Sequence, residues 1–209
     1  MEKCTTLLSP QAPTPHAYQV AITQRAIREN VLVVLPTGLG KTYIALLTAL
    51  NFLEQYGSAT KIILLAPTRP LVLQHLETFQ SFILHAEDLC IDLTGKTDPS
   101  QRQEYFQSSS LIFYFMTPQT LHNDLKNHLY DLSHVSLLIL DEAHHAMGDY
   151  AYCSIVTMYN EQNIHGRILG LTASPGSTHT KLKELLANLT IPRENVEYRD
   201  RSNADVQPF

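Results

Sequence analysis

The sequence predicts an α/β fold, a mostly parallel sheet with helices on both faces. Two observations predict it. Short runs rich in Val, Ile and Leu recur along the chain, and longer stretches with helical period separate them. Runs that are apolar at nearly every position suit a parallel sheet covered by helices on both sides. Their alternation with helices then selects a doubly wound arrangement.

The elements follow in order. Val31–Leu35 (VLVVL) reads as the first strand, and Lys41–Tyr56 as a helix stopped by Gly57. Lys61–Leu65 (KIILL) is the second strand. In Arg69–His85, the residues Val72, Leu76, Phe79 and Ile83 fall at helical spacing and form one apolar stripe. Leu89–Leu93 is a weaker strand candidate. Leu111–Met116, Val135–Leu140 and Arg167–Leu171 are further strands, and Lys181–Leu189 repeats the helical pattern. Residues 1–15, with Pro10, Pro13 and Pro15, read as a flexible N-terminal segment. Residues 193–209 are polar and charged, an edge segment or a linker towards a second part. The folded lobe is expected over residues 16–192.

Composition bounds the function. In 209 residues, 44% are hydrophobic, enough for a sizeable core. Charged residues make up 17% and the net charge is −5, which excludes a basic nucleic-acid module of the histone or zipper kind. Any contact with nucleic acid must come from a local site. Cys4, Cys90 and Cys153 lie far apart, which argues against a disulfide framework or a zinc knuckle and for a reducing compartment. No signal peptide is visible at the start, and no apolar run approaches a membrane span, so a soluble protein with no membrane partner is expected.

Three motifs carry chemistry. After the first strand comes Leu35-Pro36-Thr37-Gly38-Leu39-Gly40-Lys41-Thr42. A strand, a Gly-containing loop and a helix opening at Lys-Thr form a phosphate cradle, because backbone amides and the helix dipole both face the anion. Lys41 would reach the β- and γ-phosphates, and the Thr42 hydroxyl would ligate Mg²⁺. A strict Walker pattern has Gly where this chain has Leu35. The second motif, Asp141-Glu142-Ala143-His144, ends the buried run Val135–Leu140. Its carboxylates therefore emerge at the C-terminal sheet edge, the ligand-binding edge of open α/β sheets. Asp141 is placed to hold Mg²⁺ and Glu142 to orient or deprotonate the attacking water. His144 links the site to its neighbours, and His145 is an ordinary helix residue. The third motif is Thr172-Ala173-Ser174, whose hydroxyls would face the same edge. Alone, it would be a turn with satisfied hydroxyls.

Together these residues resemble the first domain of a superfamily-two helicase of the DEAH-box type, over nearly the whole chain and in the same order. Tyr18 and Gln19 look like the adenine-recognising element, Leu35–Thr42 motif I, and Ala66–Leu71 motif Ia. Thr94-Gly95 and Thr117-Pro118-Gln119 look like the Ib and Ic elements, Asp141–His144 motif II, and Thr172–Ser174 motif III. Met147–Tyr152, Leu171–Ser177 and the tail pieces Val196–Arg199 and Asp205–Pro208 resemble more closely the family of archaeal Hef helicases, Fanconi anemia group M proteins and Mph-type helicases.

The resemblance implies a RecA-like P-loop NTPase lobe that uses ATP and Mg²⁺ to remodel forked or branched DNA in repair and replication-fork processing. Lys41, Asp141 and Glu142 are then the catalytic residues. Tyr18, Gln19 and residues 36–42 (Pro36, Thr37, Gly38, Leu39, Gly40, Lys41, Thr42) bind nucleotide, Thr42 and Asp141 the metal. His144, Thr172 and Ser174 couple the motifs. Thr68, Arg69, Thr94, Gly95, Lys96, Thr117 and Gln119 would touch the nucleic-acid backbone, without base readout. An ordinary loop is the alternative for Thr94–Lys96. A second RecA-like lobe with arginine fingers, a partner this sequence does not contain, completes such a motor, so half an active site and low activity are expected. The alternatives are an RNA-sensing or Dicer-type helicase lobe and a nucleotide-binding interaction module without catalysis. The expected location is the nucleus in a eukaryote and the cytoplasm in an archaeon or bacterium.

Overall fold

The structure, a computed structural model, describes residues 7–176 and 178–206. Cys4, Ser177 and Gln207-Pro208, noted above, lie outside the described residues. The strands are β1 (Val31–Val34), β2 (Lys61–Leu65), β3 (Cys90–Leu93), β4 (Phe113–Met116), β5 (Val135–Leu140), β6 (Arg167–Thr172) and β7 (Val196–Tyr198). They form one sheet in the order β3-β4-β2-β5-β6-β1-β7, and all neighbours pair in parallel. The helices are α1 (Ala17–Ala26), α2 (Lys41–Tyr56), α3 (Arg69–Phe82), α4 (Ala86–Leu89), α5 (Pro99–Gln107), α6 (Pro118–Lys126), α7 (Ala151–Gln162) and α8 (His179–Asn188).

The inner strands β1, β2, β4, β5 and β6 are buried on both sides along nearly their whole length, which is why their sequences read as near-continuous apolar runs. Val31, Val33, Ile62, Leu64, Leu137, Ile139 and Leu169 pack on one face with Ile22, Ile44, Val72 and Phe79 of α1, α2 and α3. Leu32, Val34, Ile63, Leu65, Leu138, Leu140 and Ile168 pack on the other with Leu121, Ile155 and Leu185 of α6, α7 and α8. Alternate side chains of a strand point to opposite faces, so adjacent residues in one strand serve different cores.

Several boundaries differ from the sequence expectation. β4 starts at Phe113 rather than Leu111, and α3 ends at Phe82 rather than His85. At the end of α3, Ile83 turns extended and pairs antiparallel with Leu8. That pairing ties down the described part of the segment expected to be flexible. The Ser9 amide donates to the Phe82 carbonyl at 2.8 Å, the Leu84 amide to the Leu7 carbonyl at 2.8 Å, and the Tyr43 hydroxyl to the Pro13 carbonyl. At the other end, β7 adds an edge strand beside β1, and Val206 folds back into the core at 1% exposure.

The sequence reading placed no helix at α1, α5, α6 or α7, although α7 buries a stripe of Tyr152, Ile155, Val156 and Tyr159 at helical spacing. Their start signals were present for two. Asp98-Pro99 and Thr117-Pro118 combine a capping side chain with proline in the first turn, and both side chains accept the expected amide.

Candidate active site

Because β5, β6 and β1 are neighbours, the loops that follow them meet at one sheet edge. Register brings the motifs level: Leu140 pairs with Gly170, and Val34 with Thr172. The Leu35 amide then donates to the Thr172 carbonyl at 3.0 Å, just where the chain leaves the sheet for the glycine loop.

In that loop Gly38 and Gly40 have φ of +90° and +77°, and Gly40 caps α2 in the left-handed region. The backbone angle at Gly40 favours glycine, and a Cβ there would lie 2.3 Å from Gln19 Nε2 and displace that side chain. Leu39 points inward and is buried. Its carbonyl accepts the Tyr18 hydroxyl at 2.8 Å and Gln19 Nε2 at 3.5 Å, while Gln19 Oε1 accepts the His16 amide at 2.9 Å. Tyr18 and Gln19 thus hold the loop itself. Beside them is a cavity of about 170 Å³ lined by Pro13, His16, Tyr18, Gln19, Gly38 and Gly40.

Lys41 Nζ donates to the Leu35 carbonyl at 2.8 Å across the loop. Its partial burial lowers the pKa of the ammonium, and the charges of Glu142 and then Asp141 act in the opposite direction. The Lys41 cation and the two carboxylates therefore share one electrostatic environment. Thr42 follows in the first turn of α2, half-buried.

Asp141 is 6% exposed, and its Oδ2 lies 2.7 Å from His75 Nε2 of α3. The Asp141 amide donates to the Leu65 carbonyl at 2.8 Å, and its carbonyl accepts the buried Tyr152 hydroxyl at 2.6 Å. Glu142 has φ +48°, a left-handed turn that swings the chain off the strand into a short 3₁₀ turn over Ala143–His145. His145 lies in that turn rather than in an α-helix, with its ring stacked on Tyr150 at 5.3 Å. His144 Nδ1 lies 3.2 Å from Glu142 Oε2 and 3.1 Å from Thr172 Oγ1. The Thr172 hydroxyl in turn donates to the Ser174 carbonyl and accepts its amide. Ser174 joins this cluster through its backbone, not its hydroxyl.

The residues expected to meet nucleic acid stand at the ends of β2, β3 and β4. Thr68 and Arg69 open α3 and are exposed. Gly95, Lys96 and Gln119 are exposed too. Thr94 is only 3% exposed, and the half-buried Thr117 hydroxyl caps α6 through the Thr120 amide. The two threonines are thereby committed to the fold, and Lys96, Arg69, Thr68 and Gln119 carry the accessible surface.

Sequence reasoning missed His75, Tyr152 and Arg201. His75 sits inside an apolar helical stripe with nothing local to distinguish it. Arg201 lies in the tail, yet its guanidinium reaches to 3.9 Å from where a Gly38 side chain would begin. Only the return of residues 199–206 over the sheet edge places it there. That return is held by the Arg199 amide on the Val34 carbonyl and by the 2.8 Å Arg199–Asp205 pair.

The DEAD/DEAH box helicase family model matches residues 16–182. The chain superposes on the crystal structure of the Pyrococcus furiosus Hef helicase domain with a TM-score of 0.85 and 44% identity, covering 93% of this chain and 40% of that one. It is 40% identical over 192 residues to the DEAD-box ATP-dependent RNA helicase FANCM of Arabidopsis thaliana, covering 92% of this chain and 14% of that protein. It is 37% identical over 192 residues to the ATP-dependent DNA helicase fml1 of Schizosaccharomyces pombe, covering 92% of this chain and 22% of that protein. The chain thus spans less than a quarter of the length of either relative. With the RecA-like architecture and the matched span, the chain belongs to the DEAD/DEAH box helicase family.

Proposed function

We propose that this chain is the ATP-binding motor lobe of an ATP-dependent DNA helicase or translocase acting on forked or branched DNA in repair and replication-fork processing. One observation carries the reading. Lys41, Asp141, Glu142 and the His144–Thr172 contact gather at the ends of three adjacent strands, and the charge of both carboxylates reaches Lys41.

The residues fit a Mg²⁺–nucleotide complex. The cradle at Gly38 and Gly40 is one that a Cβ would fill, and its amides open a 16-residue helix, α2, whose dipole favours phosphate. Among the described residues no three His, Cys, Asp or Glu side chains form a metal cluster. A site of Thr42, Asp141 and phosphate oxygens matches how Mg²⁺ is held in such enzymes. Held by Thr42 and Asp141, Mg²⁺ would supply positive charge to offset the negative charge developing on the phosphates. Lys41 leaves the Leu35 carbonyl to bind the phosphates, Glu142 orients the attacking water and accepts its proton, and the loop amides hold the chain of phosphates in line. The 170 Å³ cavity at Tyr18 and Gln19 receives the base. His144 and Thr172 link the carboxylates to β6, so a change at the γ-phosphate is transmitted to the neighbouring motif.

Nucleic acid crosses the exposed Thr68, Arg69, Gly95, Lys96 and Gln119, with backbone contacts and no base readout. A second RecA-like lobe supplies an arginine to the transition state, worth about three to five decades in rate in related phosphoryl transfer. The cell compartment is the nucleus in a eukaryote and the cytoplasm in an archaeon. The name of the Arabidopsis relative, an RNA helicase, favours a second reading, an RNA-directed motor.

Titration with a fluorescent ATP analogue tests the nucleotide site: binding must tighten with Mg²⁺ and vanish in Lys41→Ala. In the full-length protein, forked DNA must stimulate ATP hydrolysis more than double-stranded RNA does. Robust DNA-stimulated hydrolysis by the 209-residue chain alone would contradict the need for a second lobe.

A further inference from the structure

We infer that His75 is a positioning residue for the metal-binding carboxylate: by holding Asp141 Oδ2 it fixes the side chain in the orientation that binds Mg²⁺. This rests on the nucleotide-site reading above. Asp141 leaves β5 at a sheet edge where its own strand offers the carboxylate no donor. His75 comes from α3, an element distant in sequence, and meets Asp141 Oδ2 at 2.7 Å with both side chains within the protein, 7% and 8% exposed. An ionised carboxylate only accepts, so Nε2 carries the hydrogen of this bond. The other oxygen, Oδ1, accepts no hydrogen bond from the described residues, which leaves its lone pairs for the metal and its waters.

The second ring nitrogen argues for a role beyond packing. His75 Nδ1 is buried and has no partner, one of only two such side-chain atoms among the described residues. A buried polar atom without a partner destabilises the fold, and an apolar residue on the same helical stripe would avoid that cost. What the histidine adds in exchange is its bond to Asp141. Partners that orient a metal-binding carboxylate typically change metal affinity by about 10–100-fold when removed.

The experiment measures binding of a fluorescent ADP analogue as a function of MgCl₂ in wild type, His75→Leu, His75→Asn and His75→Gln. Leu removes the donor, Asn is too short to reach Asp141, and Gln can donate from nearly the same place. The expected result is that the Mg²⁺ concentration for half-maximal tightening rises about tenfold or more in His75→Leu and His75→Asn. His75→Gln stays near wild type, and all four bind the analogue equally in EDTA. If His75→Leu does not fold, the Asn–Gln comparison decides alone. An unchanged Mg²⁺ dependence in the Asn and Leu variants overturns the inference, as does an equal loss with and without Mg²⁺, the mark of a merely structural residue. A wild-type chain whose nucleotide binding ignores Mg²⁺ refutes the nucleotide-site reading and this inference with it.

Discussion

Arg102 of α5 and Asp124 of α6 form a two-pronged ion pair inside the protein, with Asp124 fully buried. Asp124 also accepts the Tyr130 hydroxyl at 2.7 Å, and Arg102 donates to the Thr97 carbonyl. The pair therefore joins the loop after β3, which carries Gly95 and Lys96, to the helix opened by Thr117. Two of the proposed nucleic-acid elements are held together from behind by one buried contact. Removing a single partner strands the other charge, so Asp124→Leu is expected to cost about 3–5 kcal/mol in urea unfolding. Arg102→Met with Asp124→Leu is expected to recover most of that loss.

The phosphate loop gives a second expectation. In Gly40→Ala the new methyl group meets Gln19 Nε2, and φ of +77° is strained for any L-residue. The left-handed backbone alone costs roughly 1–2 kcal/mol. A lowered thermal midpoint and weakened binding of the ATP analogue are expected together, because Gln19 must move away from the Leu39 carbonyl.

Glu142→Gln keeps the size of the side chain and removes its basicity. Nucleotide binding by this chain is expected to persist, while hydrolysis in the full-length protein falls by about 10²–10⁴-fold, the usual worth of a positioned base. Unchanged turnover would favour an interaction module without catalysis.

Thr172→Val tests the contact between motifs. The hydroxyl is fully buried and serves His144 Nδ1, the Ser174 amide and the Ser174 carbonyl. Its loss is expected to cost about 1–3 kcal/mol in stability. Binding of the ATP analogue should survive, and the stimulation of hydrolysis by DNA in the full-length protein should drop.

Burial pushes the Cys90 thiol up to about 12, with Glu87 adding to the shift. At pH 8 it is almost entirely protonated, and thiolate is the reactive form. Mass spectrometry after iodoacetamide treatment is expected to find Cys90 unmodified in the folded chain and alkylated in urea.

Much of the site was legible because its chemistry is local. Gly38, Gly40, Lys41 and Thr42 lie within five consecutive residues, and backbone geometry alone turns them into a cradle. Asp141 and Glu142 announce themselves as carboxylates closing an apolar run. The inner strands were legible for a related reason: burial on both faces leaves few polar positions in them, such as Lys61, Ser136 and Arg167. Periodicity failed where an element buries little, as in α5, whose buried residues are Arg102 and Phe106. It failed again at the termini, where Leu8 and Val206 find partners far away in the chain.

By itself the sequence determined an α/β fold, the motifs that close its strands, and their order along the chain. Only the tertiary structure decided that His75 grips Asp141, that Thr94 is buried while Lys96 is exposed, and that Arg201 returns to the phosphate loop. The reason is physical: a strand's burial and a loop's dihedral angles are written in neighbouring residues. Contacts between side chains 66 positions apart depend on which helix packs on which strand, and in what register.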